Sequence, residues 1–316
     1  MATTAPIRDE FWWASPAFRT KYIADARGTL SDLGVSVPAG LPQEVLDDVA
    51  RILTVLWVEG KLVSRDTFHI DPMDEGLLFG KGIWESTRTV QGIPWLWDLH
   101  VERLLHTAKQ VGIELDPKRI PDAAEITRYV RSLTKTDVVL RLNVSAGRPG
   151  KTGMVWMSLS LRPQPRGLVR LKSLTTPVIR GLPYLTWKTF QYANRLMINS
   201  EAARQGYDSA LMVDERGDIL EAAHANIFLR LPEGWVTPPV DDDGLLLPGT
   251  VRSHVLKNAP HPVAELPVPL ARLGEATEIF VTNSNVGLVP VTQIDKHDFP
   301  LAGRETADFL KLMPPV

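Results

Sequence analysis

The chain contains no cysteine. Disulfides and thiolate metal sites are therefore excluded, and nothing in the sequence calls for an oxidising compartment. No stretch approaches the roughly 18 consecutive apolar residues of a membrane-spanning helix. The opening MATTAPIRDEFWWASP also has no cationic run followed by an apolar one, so a soluble, cytoplasmic protein is expected. An excess of charge is missing too: 35 Lys and Arg against 37 Asp and Glu leave a formal net charge of −2. With the signs interspersed, there is no basic face for nucleic acid and no polybasic segment for a membrane surface. Small molecules and other protein chains remain as partners.

What is present suits a globular protein. With 316 residues, 44% of them hydrophobic, the chain can fill two cores. Its most informative stretch is Thr186 to Phe228, TWKTFQYANRLMINSEAARQGYDSALMVDERGDILEAAHANIF. Residues Phe190 to Arg204 suit a helix, with Ala193, Leu196, Met197 and Ala203 as apolar positions and Gly206 to end it. Lys188 then lies just ahead of a helix start. Ser209 to Val213 and Ile219 to Leu220 read as strands joined across the Asp214–Asp218 turn, and Glu221 closes the second strand.

Ahead of this stretch, residues 1 to about 50 predict two short helices. One spans Glu10 to Arg27 with Phe11, Trp12, Phe18 and Tyr22, and the other spans Leu30 to Val37, stopped by Gly34 and Pro38. A hairpin turning at Glu59-Gly60 follows, then a strand from Gly82 to Val90 and a helix with Asp98 as N-cap. That helix has an apolar stripe of Val101, Leu104, Leu105, Ala108 and Val111 and ends at Gly112. A helix from Asp122 to Leu133 and strands Asp137 to Ser145 and Met154 to Leu161 come next, before a Pro163–Gly167 linker.

The signature Glu221-Ala222-Ala223-His224-Ala225-Asn226-Ile227-Phe228, thirty-odd residues after Lys188, resembles the class IV aminotransferases. These are the fold type IV pyridoxal phosphate (PLP) enzymes, which include branched-chain and D-amino-acid aminotransferases and aminodeoxychorismate lyase. The resemblance runs from about residue 55 to 300 and takes in His100-Val101-Glu102-Arg103-Leu104, Thr237-Pro238-Pro239, Leu247-Pro248-Gly249-Thr250-Val251-Arg252 and Thr282-Asn283-Ser284-Asn285. It implies a two-domain α/β (α+β) subunit, with a small N-terminal α/β domain and a larger β-barrel-like C-terminal one, PLP in the cleft between them, and a homodimer. The boundaries expected are a helical arm at 1–54, the small domain at 55–162, a linker at 163–175 and the PLP-binding domain at 176–316.

The resemblance also implies roles. Lys188 would hold PLP as a Schiff base and then act as the proton carrier, for which its amine must be neutral. Glu221 would face the pyridine nitrogen and keep it protonated, while Tyr192 would hydrogen-bond the phenolate oxygen. Arg103 would hold the phosphate, with a guanidinium matched to its oxygens, joined by Thr250, Val251 and Ser284. Trp84 and Glu85 would face the substrate, and Arg141 and Lys151, ahead of Arg148, would recognise its carboxylate. An amino acid or amine donor and a 2-keto acid acceptor are the expected substrates.

Departures from the family pattern leave alternatives open. Gln191 stands for the usual asparagine, Lys81 for an acidic residue, and Trp84 for a smaller aromatic, which puts a standard branched-chain pocket in doubt. Phe190-Gln191-Tyr192 looks like the (R)-amine transaminases, so (R)-amine or D-amino-acid specificity is a second reading. A lyase of the aminodeoxychorismate type is a third, against which Glu85 argues, since the lyases tend to carry threonine there. The run FWWASPAFRTKYIADARGTLSDLGVSVPAG resembles the N-terminal segment of nitrile hydratase α subunits and related leader peptides. It suggests either an arm packed on the body or a docking device for a partner or peptide.

Overall fold

A computed structural model of the chain describes residues 15–35, 37, 39–161, 169–240, 245–300 and 303–314. Phe11, Trp12, Trp13 and Pro38 of the arm and the linker residues 163–167 lie outside the described residues. The chain divides into two compact units, Met1–Arg162 and Pro163–Val316.

The first unit is built on an antiparallel sheet in the order Lys61–Ser64, Val55–Val58, Val155–Leu161, Val138–Ser145, Gly82–Val90, Ile93–Pro94. Its central strands alternate by face as strand geometry requires. Val138, Leu140, Leu142 and Val144 are buried on one face, whereas Arg141 is exposed on the other. Helices Gln43–Thr54, Trp97–Val111 and Ala123–Leu133 cover the apolar face through Leu46, Ala50, Leu104, Ala108, Ile126 and Val130. Glu59 (φ 49°) and Gly60 (φ 81°) both take left-handed backbone, the requirement of the tight hairpin expected there.

Tyr22 and Leu30 of helices Pro16–Ala24 and Ala26–Asp32 join the same core, so the arm packs on the body of this unit. Three details differ from the sequence expectation. The arm's first helix ends at Ala24, not Arg27, and its second runs Ala26–Asp32, not Leu30–Val37. A third helix, Gln43–Thr54, went unanticipated although Leu46, Val49, Ala50 and Leu53 recur at helical spacing. The helix with the Asp98 cap starts instead at Trp97 after Leu96 in left-handed backbone, which places Asp98 within the first turn.

The second unit carries a ten-stranded mixed sheet. Its central order is Asn226–Leu231, Glu278–Asn283, Gly287–Ile294, Val169–Thr175, Ser209–Val213, Asp218–Ala222. Residues 169–175, expected as linker, form a strand running parallel to both of its neighbours. The segment VRLKSLT alternates apolar and polar only over Val169–Lys172, and it is the parallel pairing on both sides that makes it a strand. Leu171, Leu211, Ile227, Leu229 and Val291 are buried in its core.

Candidate active site

Helix Ala193–Arg204 begins three residues later than the periodicity predicts, after a cap at Tyr192. Its face is also not the expected one. Leu196 and Met197 are 55% and 71% exposed, while Arg195 and Ala202 are buried. Arg195 is turned inward because strand Asp218–Ala222 presents Glu221, itself 2% exposed, to receive it. The guanidinium donates to Glu221 Oε1 at 2.5 Å and to the Ala223 carbonyl at 3.2 Å. The Leu247 N–H adds a bond of 3.0 Å to the same oxygen, and Asn226 Nδ2 donates to Oε2 at 3.0 Å while also bonding the Leu247 carbonyl at 2.9 Å. Buried polar groups need such partners, and this carboxylate has three donors.

Lys188 is half-buried, with Nζ 5.8 Å from the centre of the Tyr192 ring. Arg195 approaches the same ring at 5.9 Å. Tyr192 also stacks on His224, with centroids 5.7 Å apart, and its hydroxyl lies 3.0 Å from His224 Nδ1. Desolvation of the imidazole, then the positive charges of Arg195 and Lys188, depress His224 to about 4. At neutral pH it is an uncharged partner for Tyr192. Lys188, Tyr192, His224, Arg195 and Glu221 thus form one contiguous cluster, of which the sequence reading had named only Lys188, Tyr192 and Glu221.

Thr250 and Ser284, 34 residues apart, bring their hydroxyls within 3.0 Å. Thr250 opens helix Thr250–Asn258, whose N-cap, Gly249, supplies no side-chain cap. A Cβ at Gly249 would lie 1.9 Å from Asn226 Oδ1, so this close approach requires glycine. Val251 is buried, and it is its place in the first turn, with its N–H, that could serve an anion.

The other expected site residues lie in the first unit, where Arg103 and Glu85 form a pair. Arg103 donates from Nε to Glu85 Oε1 at 2.8 Å and from Nη2 to Oε2 at 2.6 Å, and His100 Nδ1 lies 2.6 Å from Oε2. Burial alone would raise the Glu85 carboxyl. The charge and hydrogen bonds of Arg103, aided by His100, overcome it and hold Glu85 at about 2. The joint assignment of Trp84 and Glu85 to the substrate is therefore corrected. Adjacent strand residues point to opposite faces, and Glu85 is turned to the helix side, with both of its oxygens engaged.

Trp84 shares its face with Arg141, whose guanidinium lies 3.8 Å over the indole and bonds Asn143 Oδ1 at 2.8 Å. Lys151 is not brought to that pair. It sits on the Gly147–Arg148/Lys151–Thr152 hairpin, where it and Arg148 share Asp71 at 3.4 and 3.0 Å.

The match that decides the family spans residues 82–294, and it is to the amino-transferase class IV model. The chain belongs to the class IV aminotransferases. A Methanocaldococcus jannaschii protein named as a branched-chain-amino-acid aminotransferase is 30% identical over 76% of this chain and 88% of its own length. Aminodeoxychorismate lyase of Bacillus subtilis is 26% identical over 82% and 93%. Among solved structures, a PLP-bound Mycobacterium tuberculosis aminotransferase aligns with a TM-score of 0.73 and 20% identity, over 82% of this chain and 96% of that one. Class IV aminotransferases use PLP and act on amino acids and keto acids, and this chain is a PLP-dependent aminotransferase of fold type IV.

The second unit's residues fit that cofactor. The Thr250–Ser284 pair at a helix start suits a phosphate, and the buried Glu221 carboxylate suits a ring nitrogen. The helices Pro16–Ala24, Ala26–Asp32 and Gln43–Thr54 stand before the matched span. Among the described residues no helix is long and apolar enough to cross a membrane, and no group of three His, Asp or Glu is disposed to hold a metal.

Proposed function

We propose that the protein transfers the amino group of an amino acid to a 2-keto acid, with Lys188 as the proton carrier at the substrate α-carbon. The observation that carries this reading is the placement of Glu221, a buried carboxylate on the second strand after the Lys188 segment. PLP bound here would supply an aldehyde to take the amine and a ring to accept electron density from the α-carbon.

The chain's own residues do the rest. The Lys188 amine, when neutral, takes the proton from the α-carbon and returns one on the other side of the reaction. Glu221 accepts the hydrogen of the ring nitrogen. Tyr192, backed by His224, donates toward the phenolate oxygen, and Thr250, the Val251 N–H and Ser284 hold the phosphate. Arg103, oriented by its two bonds to Glu85, is assigned to the phosphate on its H-x-x-R-L context. The Arg141–Trp84 pair is assigned to the substrate carboxylate. Residues 15–54 are read as a packing module, because Tyr22 and Leu30 are buried in the first unit's core. A homodimer is part of this reading, supported by the exposed apolar run Leu77, Leu78 and Phe79.

The test is absorbance. Lysine-linked PLP gives a visible band, and Lys188→Ala is expected to abolish it while the fold persists. Screening L-amino acids, D-amino acids and (R)-amines should find a donor that bleaches the band, with a keto acid restoring it. The lyase reading, suggested by the Bacillus subtilis relative, makes a different forecast: pyruvate released from aminodeoxychorismate with no acceptor present. A band that survives Lys188→Ala would remove the proposed role of Lys188.

A further inference from the structure

We infer that Arg195 is a positioning residue acting through Glu221, placed to weaken the hold of the site on the proton of the cofactor's ring nitrogen. This rests on the reading of Glu221 as the partner of that nitrogen and goes further, in saying how strongly the partner acts. The geometry is specific. Arg195 Nη2 lies 2.5 Å from Glu221 Oε1, the two side chains are 7% and 2% exposed, and the pair is shielded further by the carbonyls of Ala223 and Leu185.

A cation in contact with a carboxylate offsets much of its negative potential, and in a dry site that offset is large. A ring N–H donating to the Glu221 carboxylate would meet a partly neutralised acceptor and a second positive charge behind it. Both favour loss of the ring proton. Stability does not account for the pair, because a buried ion pair contributes little net over apolar residues of the same volume. Arg195 also flanks Tyr192, whose ring lies 5.9 Å from its guanidinium, so its charge reaches both sides of the site described above.

The experiment is 15N NMR of PLP labelled at the ring nitrogen, reconstituted into wild type, R195Q, R195M and R195K and titrated with pH, with folding followed by circular dichroism. R195M fills similar volume beside Met212 and serves as a second neutral variant. Removing the cation should raise the apparent pKa of the ring nitrogen by on the order of one pH unit, with R195K restoring the wild-type curve. Neutral variants that titrate as wild type would overturn the inference and leave Arg195 a scaffold residue. E221Q in the same series separates the two readings. If it too leaves the ring nitrogen unchanged, the assignment of Glu221 fails; if it alone moves the curve, only the role of Arg195 does.

Discussion

Glu85 holds a buried ion pair in the first unit. It is 1% exposed, bonded twice by Arg103 and once by His100. Replacing it with alanine leaves a buried guanidinium without its carboxylate. The expected cost is about 3–5 kcal/mol of unfolding free energy, read by urea denaturation; a loss below about 1 kcal/mol would equate the pair with a surface ion pair. The same pair fixes a pH dependence. The folded carboxyl titrates at about 2 against an ordinary value of 4.5. Its stabilisation is therefore complete above that ordinary value and is lost as the pH falls toward 2. It amounts to roughly 3 kcal/mol, and Glu85→Gln should flatten the acid limb. Glu221, Thr250 and Ser284 were legible because motif spacing marks them. Arg195 was not, for nothing next to it in the chain shows that strand Asp218–Ala222 will bring Glu221 to its side. The division of Trp84 from Glu85 was available from the strand's own period of two and was overridden by the motif.

Among the elements, helix Ala193–Arg204 shows how an apolar pattern can mislead. Leu196 and Met197 suggest a core stripe, yet they face outward and the polar Arg195 faces in. Hydrophobic periodicity reports which face leaves water, not whether the same chain covers it. Helix Gln43–Thr54 is the opposite case, a strongly amphipathic segment that packs on its own sheet through Leu46, Val49, Ala50 and Ile52. Deleting residues 1–42 should lower the first unit's stability but leave it folded. Extending the deletion to residue 54 should unfold it, because four buried side chains at about 1–3 kcal/mol each are lost with the helix. Thermal unfolding of the two truncations decides this, and equal melting temperatures would show that the helix is dispensable.

For the whole molecule, the exposed run at Leu77 (63%), Leu78 (48%) and Phe79 (67%), with Met73 nearby at 59%, is more apolar surface than one short segment of a monomer usually leaves in water. Sedimentation equilibrium should give twice the 35.1 kDa chain mass, and Phe79→Glu should shift the distribution toward single chains. A wild-type protein that sediments as a monomer would refute the dimer. The chain divides after Arg162, where the prolines end the first unit's pattern and the small domain was expected to end, but residues 169–175, grouped with those prolines as linker, are the first strand of the second unit. That strand, Val169–Thr175, pairs in parallel with Gly287–Ile294, and Ser173 is tied to Asp295, 122 residues away. On the ribosome the first unit can fold while the rest is still being made, since among the described residues its strands pair only with one another. The second cannot close its sheet until Gly287–Ile294 has been translated. A nascent chain would therefore meet free PLP with the Glu221, Thr250 and Ser284 set either absent or complete.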